Sequence, residues 1–224
     1  MATLGIFRPV CSSCGEETAF SDALCPLCVA ALEEAKHRCA SCGYILSVSA
    51  ESCAHCNSKA SGIDSYYSDY LYTGALRKLI KEIKFNWRFR GASQLGRLVQ
   101  AQRVDFGSYD YVVPVPYHAL RRLARYRQPV DIIMKALEEH RGIKGRKVLV
   151  RVRNTEYQAM LTRKERLENI RGAFRLKTNI KGMKILIVDD ILTTGATLSA
   201  CAKLLKKKGA LRVDVYTLMA GAGK

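Results

Sequence analysis

Two adjacent carboxylates, Asp189 and Asp190, end an apolar run and precede a short loop of small and hydroxyl-bearing residues. The loop residues are Thr193, Thr194, Gly195, Ala196 and Thr197. Carboxylates accept hydrogen bonds from neutral hydroxyl groups, whereas N–H groups at the start of a helix favour a phosphate. The stretch therefore predicts a ligand with sugar hydroxyls at one end and a phosphate at the other, as in a ribose 5-phosphate. No Gly-Lys-Ser/Thr follows the turn, which excludes a P-loop.

Eight of the nine cysteines lie in the first quarter of the chain as four Cys-x-x-Cys pairs, with ten residues between each pair and the next. They are Cys11, Cys14, Cys25, Cys28, Cys39, Cys42, Cys53 and Cys56. A two-residue gap lets both thiolates of a pair face one tetrahedral ion, and a chain without a secretion signal favours metal over disulfides. The pattern predicts two structural zinc sites. It leaves open whether neighbouring pairs share an ion or the pairs interleave.

The cysteine pattern ends near Gly62, so we predict a zinc-binding module over residues 1–62 and a second domain over 63–224. The second domain reads as alternating strands and helices. The predicted strands are 63–73, 111–116, 147–153, 183–190 and 211–220. The predicted helices are 74–85, 91–104, 129–140, 156–170 and 197–209. Alternation from residue 110 onward predicts an α/β fold with a doubly wound parallel sheet, which binds ligands at the carboxyl ends of its strands.

The charge is concentrated in the second domain. The formal net charge is +17, and residues 63–224 hold 33 Lys/Arg against 14 Asp/Glu, a net of +19. Residues 121–184 alone hold 19 against 6, a net of +13. Such a field attracts polyphosphates and nucleic acid, although a solubilising surface is the simpler interpretation of a scattered excess.

Two basic segments are candidate binding regions. The segment 84–90 mixes cations with aromatic rings on which bases can stack, and its candidates for nucleic-acid contact are Lys84, Trp87, Arg88 and Arg90. The segment 151–174 carries arginines suited to phosphate. Its candidates for a lid or for pyrophosphate binding are Arg151, Arg153, Gln158, Arg163, Arg166 and Asn169, and the alternative is a basic helix face.

The chain resembles the ComF family of competence-associated proteins. VDDILTTGAT (188–197) looks like the phosphoribosyl pyrophosphate (PRPP) motif of type I phosphoribosyltransferases. The Cys-x-x-Cys pairs, IKF with RG (83–85, 90–91), VVPVP (112–116) and the segment 151–174 occur in the family's order. The resemblance implies a type I phosphoribosyltransferase fold behind a zinc module. It also implies PRPP binding by the residues from Asp189 to Thr197, with magnesium, and a role in natural transformation.

These observations support two functions. The first is a protein of DNA uptake that binds PRPP and single-stranded DNA, with other DNA-uptake proteins as further partners. The alternative is an active phosphoribosyltransferase of nucleotide or small-molecule metabolism with no DNA role. No stretch approaches the roughly 18 apolar residues of a membrane span, and no signal sequence begins the chain. We therefore expect a cytoplasmic protein without membrane insertion.

Overall fold

A computed structural model gives the fold for residues 8–58, 61–85, 90–117, 128–153 and 172–221. The strands are β1 (Ser65–Leu71), β2 (Tyr111–Pro114), β3 (Leu149–Arg151), β4 (Phe174–Leu176), β5 (Lys184–Leu192) and β6 (Arg212–Ala220). The helices are α1 (Pro26–Ala30), α2 (Ala54–Ser58), α3 (Gly74–Phe85), α4 (Arg90–Arg97), α5 (Pro129–Arg141) and α6 (Ala196–Lys207). The helix predicted at 156–170 lies outside the described residues.

A four-stranded parallel sheet with the order β1-β6-β5-β2 forms the centre of the fold, as the alternating pattern predicts. Strand β5 pairs with a neighbour on both sides. The side chains of residues 185–188 on β5 are fully buried, because helices cover both faces of the sheet. A strand covered on both faces reads as a continuous apolar run, which is the pattern that precedes Asp189.

The two faces of the sheet carry different layers. On one face, α3, α4 and α5 pack together, and Leu79 and Ile133 share a hydrophobic core with Leu186. On the other face, α6 packs on β5 and β6, and Leu198 shares a core with Ile187. Within the described ranges, no helix has the length and apolar character needed to cross a membrane.

The strand predicted at 147–153 is shorter than expected and does not join the parallel sheet. Strand β3 pairs antiparallel with β4 in a separate two-stranded sheet. The backbone N–H of Lys177 extends this pairing by donating to the carbonyl of Val148. Leu149 and Phe174 are buried while Arg175 is exposed, so only one side of this small sheet meets the core.

The helix predicted at 91–104 ends at Arg97, seven residues early. The carboxylate of Asp69 accepts the backbone N–H groups of Gln100 and Ala101 at 3.0 and 3.1 Å, and also the hydroxyl of Tyr216 at 2.7 Å. Ala101 has a positive φ of 46°, which a helix does not allow. A buried tertiary acceptor thus overrides the local helical pattern.

The cysteine-rich segment runs along the outer edge of β1. The N–H of Leu71 donates to the carbonyl of Glu33, and the N–H of Tyr66 donates to that of Cys42. Gly43 has a φ of +73°, and a Cβ there would collide with the carbonyl oxygen of Tyr66. This segment therefore covers a sheet edge whose backbone groups would otherwise remain open.

Candidate functional site: an acidic pair beside a helix N-terminus

Asp189 and Asp190 lie near the carboxyl end of β5, next to the start of α6. Three residues, 193–195, separate β5 from α6, so the acidic pair and the first turn of the helix are neighbours. The first N–H groups of an α-helix have no acceptor within the helix, and its dipole is positive at that end. The structure therefore brings hydrogen-bond acceptors and an anion-favouring helix end to one edge of the sheet.

Gly195 makes the sharp turn from the loop into α6. It adopts the left-handed conformation with a φ of 69°, and its position at the N-cap lets its carbonyl accept the N–H of Ser199 at 2.7 Å. A Cβ at this position would meet Leu192 at 3.4 Å in addition to the backbone strain. Glycine thus keeps the loop tight and leaves the backbone open on its outer side.

Burial and charge act on Asp189 together. Removal from water is the main effect that raises the pKa of Asp189 well above its usual value, and the charge of Asp190 raises it further. The backbone N–H of Asp190, which donates to Oδ1 of Asp189 at 2.9 Å, and the charge of Lys84 act in the opposite direction. An acidic pair of this kind destabilises the folded state. Carboxyl groups with strongly shifted pKa values are common at binding sites.

Lys84 at the end of α3 makes an ion pair with the second carboxylate. Its Nζ lies 2.6 Å from Oδ2 of Asp190, and the two side chains are 22% and 13% exposed. The sequence predicts Lys84 as a nucleic-acid contact, which stays a prediction, and in this structure its ammonium group lies against Asp190. The sequence signal for Lys84 is the IKF element (83–85), which belongs to the family pattern. This element marks the residue but does not indicate which side chain it contacts.

Arg151 approaches the site from β3. Its guanidinium lies 5.6 Å from the ring centre of Phe174. Cys201 is fully buried on α6, where burial raises the pKa of its thiol, the charge of Asp189 raises it further and the charge of Arg151 lowers it. Cys201 thus behaves as a buried apolar residue of α6. Arg153 is exposed two residues further along the chain.

Several predicted site residues lie outside the described residues. They are Trp87, Arg88, Gln158, Arg163, Arg166 and Asn169. The lid and nucleic-acid roles of these side chains remain predictions.

The eight cysteines form two groups of four, and each group unites neighbouring pairs. One group is Cys11, Cys14, Cys25 and Cys28, and the other is Cys39, Cys42, Cys53 and Cys56. Within each group all sulfur atoms lie within 4.8 Å of one another, and close pairs are 3.5–3.8 Å apart. A zinc ion with Zn–S bonds near 2.3 Å needs sulfur atoms about 3.8 Å apart. Both groups therefore fit tetrahedral zinc, and the alternative of interleaved pairs is excluded.

Backbone N–H groups support the thiolate form in each group. Burial opposes ionisation of Cys11, but N–H groups of Cys14, Cys25 and Ser13 outweigh it and lower the pKa of Cys11 to about 6. The N–H of Cys53 is the main effect that lowers the pKa of Cys56 to about 7. Burial and neighbouring thiols raise the pKa of Cys28 to about 12, so four thiolates together need a cation.

The segment between Cys14 and Cys25 is hydrogen-bonded to α4. The side chain of Gln94 accepts the N–H groups of Ala23 and Leu24 at 3.0 and 2.7 Å and donates to the carbonyl of Leu24 at 2.8 Å. Arg90, predicted as a nucleic-acid contact, donates to the carbonyl of Asp22 at 2.6 Å. In this structure Arg90 therefore contacts the cysteine-rich segment.

The parallel sheet, the acidic pair and the helix N-terminus at one strand end are the features of a phosphoribosyltransferase-type domain. The family model described as "Phosphoribosyl transferase domain" matches residues 95–224. Relatives of the whole chain include the DNA utilization protein YhgH of Salmonella typhimurium, which is 30% identical over 87% of this chain and 89% of the relative. Competence protein F of Haemophilus influenzae is 29% identical over 80% and 83%. The chain belongs to the ComF family of proteins with a phosphoribosyltransferase domain.

The two cysteine groups give a prediction about metal content. Protein purified without chelator should contain about two zinc ions per chain by elemental analysis, because each group supplies four sulfur ligands. Cys14→Ser and Cys56→Ser should each lose about one ion. Cys201→Ser is the matched control and should keep both, since Cys201 belongs to neither group. A wild-type content of one ion or none would contradict the assignment.

The raised pKa of Asp189 gives a prediction about stability. Asp189→Asn keeps the Oδ1 acceptor but removes a charge, so the variant should melt at a higher temperature than the wild type at pH 8. The folded-state pKa of Asp189 lies above that of an unfolded aspartate, near 4. The stability of the wild type should therefore fall as pH rises from the unfolded-state pKa towards the folded-state pKa of Asp189. The difference in melting temperature between the variant and the wild type should widen over the same pH range. If the wild type and Asp189→Asn have equal melting temperatures at both pH 5 and pH 8, ionisation of the Asp189 carboxyl does not destabilise the folded protein.

Proposed function

We propose that the protein binds PRPP, together with magnesium, at the carboxyl end of β5. The observation that carries this proposal is the pair of carboxylates, Asp189 and Asp190, immediately before a helix whose N-terminus faces the same edge of the sheet. A ligand that uses both parts needs neutral hydroxyls and a phosphate a few ångströms apart. A phosphorylated ribose meets this requirement, and membership of the phosphoribosyltransferase domain family supports it.

In this proposal each part of the ligand has its own partner. The 2- and 3-hydroxyls of the ribose donate to the carboxylates of Asp189 and Asp190. The loop from Thr193 to Thr197 holds the 5-phosphate through backbone N–H and hydroxyl groups. Arg151 on β3 and Arg153, two residues further along the chain, are our candidates to neutralise the diphosphate along with magnesium. The same arrangement would serve transfer of the phosphoribosyl group to an acceptor, because leaving-group charge must be held in that reaction.

Removing the two carboxylates should abolish most PRPP binding. Hydrogen bonds to charged groups contribute about 1.5–3 kcal/mol each, so Asp189→Ala/Asp190→Ala should weaken binding at least about a hundredfold. Calorimetry with PRPP and magnesium measures this change. Glu138→Ala/Glu139→Ala removes two exposed carboxylates from α5 and is the charge-matched control, which should bind PRPP like the wild type.

The outcomes separate three conclusions. PRPP binding by the wild type, lost in the acidic-pair variant and kept in the control, supports the pocket. Equal binding by the wild type and the acidic-pair variant would place the ligand elsewhere. Failure of the wild type to bind PRPP would reject the proposed function.

We further propose that the protein binds single-stranded DNA in natural transformation. Its relatives are named a DNA utilization protein and competence proteins. The structure supplies an exposed basic surface at the amino ends of β2 and β5, the end opposite the acidic pair. We call it the basic edge, and it consists of Lys144, Arg146, Lys147, Lys177, Lys181 and Lys184.

Backbone contacts bring the residues of the basic edge together. The N–H of Arg146 donates to the carbonyl of Val112 at 2.7 Å, and its guanidinium lies 5.8 Å from the ring centre of Tyr111. Tyr111 in turn pairs with Ile185, next to Lys184. The ranges 141–153 and 172–184 contain no Asp or Glu, and Asp110 is the neighbouring acid, whose carboxylate accepts the N–H of Lys184. Six exposed cations on two ranges that carry no acid favour a polyanionic backbone.

The basic edge should determine how binding depends on salt. Arg146→Ala/Lys147→Ala/Lys177→Ala should reduce the slope of log affinity against log salt by about 2, since each phosphate contact on a single strand contributes about 0.7. Fluorescence anisotropy with an oligodeoxythymidylate measures it. Lys36→Ala/Arg77→Ala/Lys135→Ala removes three exposed cations from other surfaces and should leave the slope nearly unchanged. Equal slopes for the two variants would exclude the basic edge. No DNA binding by the wild type would favour the metabolic alternative.

A further inference from the structure

The ion pair between Lys84 and Asp190 occupies an acceptor that the proposed pocket assigns to the ligand. Nζ of Lys84 lies 2.6 Å from Oδ2 of Asp190, and both side chains are largely removed from water. A ribose hydroxyl that donates to this oxygen must displace the ammonium group or share the oxygen with it. The ion pair and the ligand would therefore act on the same oxygen atom, and the ion pair would weaken ligand binding at Asp190.

The helix that carries Lys84 is fixed independently of its ammonium group. The carboxylate of Glu82 accepts the hydroxyl of Ser12, and Nζ of Lys78 donates to the carbonyl of Ser13 at 2.5 Å. Leu79 and Ile83 are buried in the core on the same helix. The backbone of α3 is thus held in place by the first cysteine group and by the core. The four-carbon stem of lysine still lets its head group move between partners within reach.

Displacement of Lys84 has a different cost for different ligands. A neutral diol gives the ammonium group no new partner, so the two carboxylates would lose their cation in a site with little water. A ligand that carries both a diol and a second anionic group offers the ammonium group a replacement. The second ligand can therefore release Asp190 without leaving Lys84 unpaired.

We propose that Lys84 is a specificity-determining residue, which covers Asp190 in the free protein and moves to the anionic group on C1 of the ligand when a phosphorylated ribose enters. The inference rests on the proposed PRPP pocket. In this arrangement Lys84 discriminates PRPP, which has a diphosphate on C1, from ribose 5-phosphate, which has a hydroxyl there. Ribose 5-phosphate is then disfavoured because the ammonium group of Lys84 competes with it for Asp190, and not because the sugar phosphate does not fit the pocket.

The test compares the two ligands on one variant. Lys84→Met keeps most of the stem and removes the charge, so ribose 5-phosphate should bind about tenfold more tightly and PRPP about tenfold more weakly than in the wild type. The dissociation constant of ribose 5-phosphate divided by that of PRPP, both measured by calorimetry with magnesium, should therefore fall by about a hundredfold. Lys81→Met is the matched control one turn earlier on α3, where Lys81 is exposed, and it should keep the wild-type ratio.

Each result has one meaning. A wild type that binds PRPP, with an unchanged ratio in Lys84→Met, overturns this inference and leaves the proposed pocket intact. The same holds if both ligands weaken by the same factor, which indicates a purely structural role. A wild type that binds neither ligand overturns the proposed function and this inference with it. A zinc content equal to that of the wild type checks that the variant is folded, and Lys84→Gln replaces it if Lys84→Met is not.

Discussion

The fold depends on one strand that is hydrogen-bonded on both sides and covered on both faces. Strand β5 lies between β2 and β6, and residues 185–188 within it have no exposed surface. Because the whole strand is fixed, Asp189 and Asp190 near its carboxyl end have fixed positions too. Their carboxyl groups therefore lie side by side near the sheet edge, although burial disfavours the ionised form of Asp189 and raises its pKa. The parallel direction of all four strands also brings the start of α6 to this same edge.

The two cysteine groups extend the cores of the two faces. Cys11 and Cys25 belong to the core that contains Leu79, on the side of α3. Cys39 and Cys42 belong to the core that contains Ile187, on the side of α6. The groups thus pack on opposite sides of one sheet, and the chain between them covers the edge of β1. Zinc in these groups would contribute folding free energy to both layers of the domain as well as to the cysteine-rich segment itself.

The sequence predicted those parts of the fold that follow from periodicity, and it missed those that depend on a distant partner. The apolar run before Asp189 and the spacing of the cysteines are local patterns that indicate a buried strand and metal sites, although only the structure shows which cysteine pairs come together. The end of α4 is different, because the acceptor that stops the helix is Asp69, some thirty residues earlier. Lys84 and Arg90 were recognised as cations in a basic segment. Their partners, a carboxylate and a backbone carbonyl, could not be inferred without the packing of α3 and α4.

Helix α3 links the first cysteine group to the acidic pair. Ser12 and Ser13, between the first two cysteines, contact Glu82 and Lys78 on α3, and Lys84 at the end of this helix reaches Asp190. One rigid helix thus connects the segment between Cys11 and Cys14 with Asp190. Loss of a zinc ion from this group would remove the cross-link between its four cysteines, and the segment that anchors α3 would be held less firmly. The position of Lys84 would then depend on the metal, and so would the proposed binding of a ribose hydroxyl by Asp190. A zinc ion in the first cysteine group would in this way influence the proposed PRPP site without contributing an atom to it.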